Sequence, residues 1–144
     1  MKYGHVLVPV DLSAPDQHAI EAALEIAAHH EARTTLMYVI EAIDDGDEDE
    51  QGNEFDAFYA ELEVGIRQRL LSIAERFRQA GLTVDVEILV GHGPREIVRY
   101  SATGTIDLIV MRSQRVDLQR PYENLTSASH QVCLFCQCPV MLVK

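Results

Sequence analysis

Five short apolar runs are spaced along the chain, and each of the four gaps between them holds a stretch with helical periodicity. This alternation limits the fold more than any other feature of the sequence. The runs are His5 to Val10 (HVLVPV), Thr34 to Ile40 (TTLMYVI), Val84 to Val90, Ile106 to Met111 (IDLIVM) and Pro139 to Val143. In the third, Val84, Val86, Ile88 and Val90 alternate with other residues; the other four are more continuous and rich in Val, Ile and Leu, as buried strands are. Between the first two, Ser13-Ala14-Pro15-Asp16 reads as a helix start with a Ser cap, and Ala19, Ile20, Ala23, Leu24 and Ala27 recur at helical spacing. Phe55, Phe58, Tyr59, Leu62, Ile66, Leu70, Ile73 and Phe77 predict a long amphipathic helix stopped by Gly81. Gly91-His92-Gly93-Pro94 opens a short helix through about Ala102, and a last helix is expected over about Glu123 to Cys136. Strands alternating with helices imply one α/β domain, an open and mainly parallel sheet with helices on both faces and right-handed crossovers. Its ligand crevice lies beyond the C-terminal ends of the strands, where the strand order reverses. The loops after the first strand (Asp11 to Ala14) and after the fourth (Arg112 to Asn124) are the natural candidates.

The chain's 144 residues suit a single domain. No run reaches the roughly 18–20 apolar residues of a membrane span. The opening MKYGHVLVPVDLS does not read as a secretory signal, so a cytoplasmic location is expected. The net charge of -11 is local. Eleven acids and no Lys or Arg lie between Glu41 and Glu63, and elsewhere 12 acids balance 12 bases. Residues 44–53 (DDGDEDEQGN) read as a solvated, flexible loop. Such a patch repels phosphate backbones and anionic lipids, which makes nucleic acid and membrane surfaces poor partners.

Several stretches in this order resemble the universal stress protein family: VLVPVDLSAPDQHAIEAALEIA, VGHGPREIVRYS, DLIVMRS and CPVMLV. The resemblance covers nearly all the chain. It implies a five-stranded parallel sheet of order 3-2-1-4-5 with the adenine nucleotide alpha hydrolase-like fold, and a switch point between strands one and four. Family members that bind ATP carry two glycines three apart after strand four and a Gly-Ser pair at the last helix. Those glycines let main-chain N–H groups approach phosphate. Here Met111-Arg112-Ser113 stands for the first, Arg115 for the second, and Thr126-Ser127 for the Gly-Ser pair. Non-glycine residues resist the left-handed backbone at about 1–2 kcal/mol each. The resemblance therefore implies a dimeric stress-response module that does not bind ATP in the usual way. The alternative is an ATP- or AMP-binding switch with a divergent phosphate loop and slow ATP hydrolysis. It would use Asp11, Val39, Met111, Arg112, Ser113, Arg115 and Ser127. Arg112, Arg115 and Arg120 could instead take another anion, or pair with nearby acids.

His130, Cys133, Cys136 and Cys138 have the donors of a zinc site, against a helix that packs small residues on the sheet. A metal or thiol sensor is the second alternative, with no metal as the favoured reading. His92 sits between two glycines and reads as turn packing, and His29 and His30 suit a helix C-terminus. The run Pro139, Val140, Met141, Leu142, Val143 lies at the sheet edge in the implied order, where an apolar strand invites pairing. A homodimer through it is expected, and a protein partner is compatible with this reading. No motif argues for an enzyme.

Overall fold

The computed structural model describes residues 2–42, 52–113, 118–120 and 127–144. The elements are β1 (His5–Pro9), α1 (Asp16–His30), β2 (Arg33–Glu41), α2 (Gly52–Gln79), β3 (Val84–Gly91), α3 (Gly93–Thr103), β4 (Leu108–Arg112), α4 (Ala128–Phe135) and β5 (Val140–Val143). The sheet is parallel throughout and ordered β3-β2-β1-β4-β5. This is the expected α/β fold, with its switch point between β1 and β4.

Side chains alternate across a strand, so β1 feeds two cores. Val6, Val8 and Val10 point toward α1 and α2 and pack with Ile20, Leu36, Leu70, Phe77 and Val110. Leu7 points the other way and packs with Met37, Ile97, Ile109 and Val132, beneath α3 and α4. All five β1 residues are buried, which explains an unbroken apolar run where a half-exposed strand would alternate. Each fully buried Val or Leu contributes about 1.5–3 kcal/mol of transfer free energy.

Several local expectations are corrected. Ser13 does not cap α1. The cap position is Pro15 with no side-chain bond, and Ser13 Oγ is buried without a partner among the described residues. Gly52 and Asn53, expected in the acidic loop, begin α2; the rest of 44–53 lies outside the described residues. The first part of α2 is not core: Phe58 and Leu62 are exposed. At about 1.5 Å per residue the helix runs about 42 Å, and the nine residues of β2 beneath it about 30 Å, so its start overhangs the sheet. Gly81, with φ +80°, ends that stretch as expected. The last helix is shorter than expected because Ser127 caps it, its hydroxyl accepting from His130 N at 3.2 Å. His92 follows β3 and stands at the cap position of α3, without a side-chain cap bond. Among the described residues no helix is long and apolar enough to cross a membrane.

Candidate functional site

Where β1 and β4 diverge, a cleft of about 190 Å³ opens at the C-terminal end of the sheet. Asp11 leaves β1 at its rim, Met111 and Arg112 end β4, and Val39 and Glu41 come from β2. Gly93 opens α3 on the far side, and Ala128 and Ser129 open α4. Of the residues singled out in the sequence, Asp11, Val39, Met111 and Arg112 meet here. Ser113 directly follows Arg112, and Ser127 directly precedes Ala128. Ser113 N donates to Val143 O (2.8 Å), which ties the segment to β5. Arg115 and Thr126 lie outside the described residues, as do 114–117 and 121–126 of the long loop. Arg120 is described but is not among the lining residues.

A larger groove of about 420 Å³ lies between α3 and α4, lined by Pro94, Arg95, Val98, Arg99 and Phe135. It lacks convergent charge of both signs, and it is not at the switch point. The smaller cleft is therefore the candidate site.

Charge defines the cleft. Arg112 is the one Lys or Arg among the described lining residues, against Asp11, Asp16 and Glu41. Its Nη2 donates to Asp11 Oδ2 at 2.6 Å, and its Nε lies 3.7 Å from Asp16 Oδ1. Asp16 is 3% exposed, and its Oδ2 accepts from the main-chain N–H of both Asp11 and Leu12 at 2.8 Å. Asp11 Oδ1 accepts from Ser13 N at 2.9 Å. Asp11 thus closes a turn inside the loop before α1 while it holds the ion pair, and it does not cap the helix.

Burial, reinforced by the neighbouring Asp11 carboxyl, raises Asp16 from 3.8 to about 6, although the two N–H bonds pull the other way. For Asp11, partial burial also pushes upward. Hydrogen bonds with Asp16 and Ser13, and the Arg112 charge, outweigh it and bring the carboxyl to about 2. Above about pH 6 the carboxylates of Asp11 and Asp16 therefore both face one guanidinium.

The N-terminus of α3 is occupied in the same way. Gly93 N donates to Glu41 Oε1 at 2.9 Å, and a Cβ on Gly93 would stand 3.0 Å from that oxygen. A side chain there would displace the carboxylate. The loop after β1 carries strain as well: Leu12 has φ 64°. Asp16 holds its N–H, and Arg69 Nη2 donates to its carbonyl at 2.6 Å. Sequence reasoning missed Asp16, Glu41 and Arg69 as site residues. Asp16 looked like a first-turn helix acid, and only the fold brings Glu41 and Arg69 to the loop.

The cysteines do not form the four-donor set. Among the described residues no three His, Cys, Asp or Glu side chains are grouped to hold a metal. Cys133 is exposed, correcting its expected packing on the sheet; Val132 takes the buried position.

Solved structures share this fold. Universal stress protein UspA from Lactobacillus plantarum is 28% identical, with TM-score 0.74 over 100% of this chain and 99% of that one. A universal stress protein solved with cAMP is 19% identical, with TM-score 0.74 over 100% and 98%. The universal stress protein from Archaeoglobus fulgidus, solved with dAMP, is 19% identical, with TM-score 0.69 over 100% of both chains. No curated protein matches. The profile of the Universal stress protein family matches residues 2–144, nearly the whole chain, and the protein belongs to that family.

Proposed function

We propose that this protein is a cytoplasmic, dimeric regulatory module of the stress response, and that its cleft does not take ATP in the usual way. One observation carries the reading of the cleft: its own carboxylates already occupy its anion-binding groups. Arg112 is held by Asp11 and approached by Asp16, and the first N–H of α3 is held by Glu41. A triphosphate would have to displace two carboxylates and then sit beside three. The test is to denature the purified protein, analyse the supernatant for nucleotide, and melt the protein with and without Mg-ATP. A ligand at 100 times its Kd raises stability by about 2.7 kcal/mol, a shift of several degrees for a domain of this size. The expected result is no nucleotide and no shift; co-purified ATP, or a clear shift, overturns the reading.

A second reading, that a single-phosphate adenine nucleotide binds, is favoured by the guanidinium in the cleft. The neighbours solved with cAMP and dAMP each carry a ligand with one phosphate. On this reading Arg112 leaves Asp11 to bind the phosphate. A melting shift with AMP or cAMP that disappears in Arg112→Ala supports it.

The dimer rests on β5. This strand pairs with β4 on one side and ends the sheet on the other, with Met141 and Leu142 exposed. Antiparallel pairing with a second copy would cover that edge. Light scattering on Met141→Arg should report half the mass with the fold retained. A dimer that survives this change is not built on β5.

A further inference from the structure

The cysteines lie away from the cleft, where α4 gives way to β5. Cys136 follows the last residue of α4, and Cys138 stands two positions on. Their Sγ atoms are 3.6 Å apart, and Cys136 Sγ directs its S–H to Cys138 O at 3.1 Å. The turn is anchored at both ends: Cys136 N donates to Val132 O at 2.9 Å, and Pro139 O accepts from Ile109 N at 3.0 Å. Both side chains are half-buried and pack against the core beneath α3 and α4. The sulfurs are therefore held in contact by the fold, with no third ligand group beside them among the described residues.

We propose that Cys136 and Cys138 form an exchange-competent dithiol that reacts with a small-molecule disulfide of the glutathione class, giving a reversible intrachain disulfide across the α4–β5 turn. In the first step the Cys136 thiolate attacks one sulfur of the small disulfide. A mixed disulfide forms and one small thiolate leaves. In the second step Cys138 sulfur attacks Cys136 Sγ, the Cys136–Cys138 bond forms, and the second small thiolate leaves. The two departing thiolates take up the two protons the cysteines lose. The protein dithiol is oxidised and the small disulfide is reduced to two thiols. The order of attack follows from the surroundings. Burial, together with the hydrogen bond and charge of Cys136, pushes the Cys138 thiol up to about 12, so it is the poorer first nucleophile. Exchange should accordingly quicken as pH rises.

The proposal is independent of the readings of the cleft and the dimer. The experiment exposes the full-length protein to oxidised glutathione, quenches it in acid, alkylates it with iodoacetamide and measures intact mass. Of three cysteines, one should remain alkylatable, with no glutathione mass retained, and dithiothreitol should restore all three. Cys133→Ser should still lose two thiols. Cys136→Ser and Cys138→Ser should each fail to form the internal bond. Three alkylated cysteines after oxidation, a stable glutathione adduct on the wild-type protein, or a bond that includes Cys133 overturns the proposal.

Discussion

The two ends of the sheet are both polar, but they are built on opposite plans. At the N-terminal end, buried His5 bridges two hydroxyls: Nε2 to Thr35 Oγ1 at 2.7 Å and Nδ1 to Thr105 Oγ1 at 3.0 Å. Asp107 Oδ2 accepts from Gly4 N and His5 N beside it. Burial, aided by Arg33, lowers the His5 pKa below 6.5, so the imidazole is neutral at physiological pH. This end is closed, and its ring nitrogens are both satisfied. At the C-terminal end two carboxylates, Asp11 and Asp16, face the Arg112 guanidinium, and a third, Glu41, lines the same cavity. A closed network with its polar groups satisfied holds a fold, whereas an open site with unbalanced charge can respond to a ligand or to pH.

The comparison can be broken most severely at His5. His5→Ala leaves Thr35 and Thr105 without their partner and opens a void, and chemical denaturation should show a loss of about 2–4 kcal/mol. Binding at the cleft should not change. A loss below about 1 kcal/mol would mean that this end is not a structural plug.

The next effect lies at the cleft. Asp11→Asn combined with Glu41→Gln removes the charged partner of Arg112 Nη2 and that of the α3 N-terminus, and leaves Asp16 as the one carboxylate near Arg112 among the described residues. Affinity for phosphate-bearing nucleotides, read by calorimetry, should rise about tenfold or more, or roughly 1.4 kcal/mol. No gain would show that shape, and not charge, excludes them.

A smaller effect concerns pH. Asp16 binds its proton more tightly folded (about 6) than at its ordinary 3.8. The folded state then holds more protons across that window, and this group's contribution to stability falls as pH rises from 3.8 to about 6. Asp11, lowered to about 2, acts in the opposite sense: its contribution is present above 3.8 and is lost as pH falls toward about 2. Asp16→Asn keeps an acceptor for the loop N–H groups and should flatten the wild-type decline between 3.8 and about 6 in pH-dependent melting. An unchanged slope would assign the decline to other groups.

The smallest effect tests the other side of the comparison. The Arg112–Asp11 pair is partly exposed, at 28% and 52% of the side chains, so Arg112→Ala should cost under about 1 kcal/mol of stability.

Much of the architecture was legible from the chain because burial on both faces of a parallel sheet leaves unbroken apolar runs, as in Val6-Leu7-Val8 and Leu108-Ile109-Val110. Asp11 and Arg112 were legible too, since each stands where a strand ends and strand ends line the switch point. The helix start at Ser13 was misread because Ser-Ala-Pro-Asp fits a cap motif. Burial instead drew Asp16 beneath the loop, where it holds the N–H groups of Asp11 and Leu12. The register of apolar residues and the absence of glycine after β4 are written in the sequence, because periodicity and backbone freedom are local properties. Which carboxylate would answer which cation, and that Glu41 would reach Gly93 52 residues away, were decided by the tertiary structure. Electrostatic pairing depends on distance through space, and that distance exists only once the strands lie side by side.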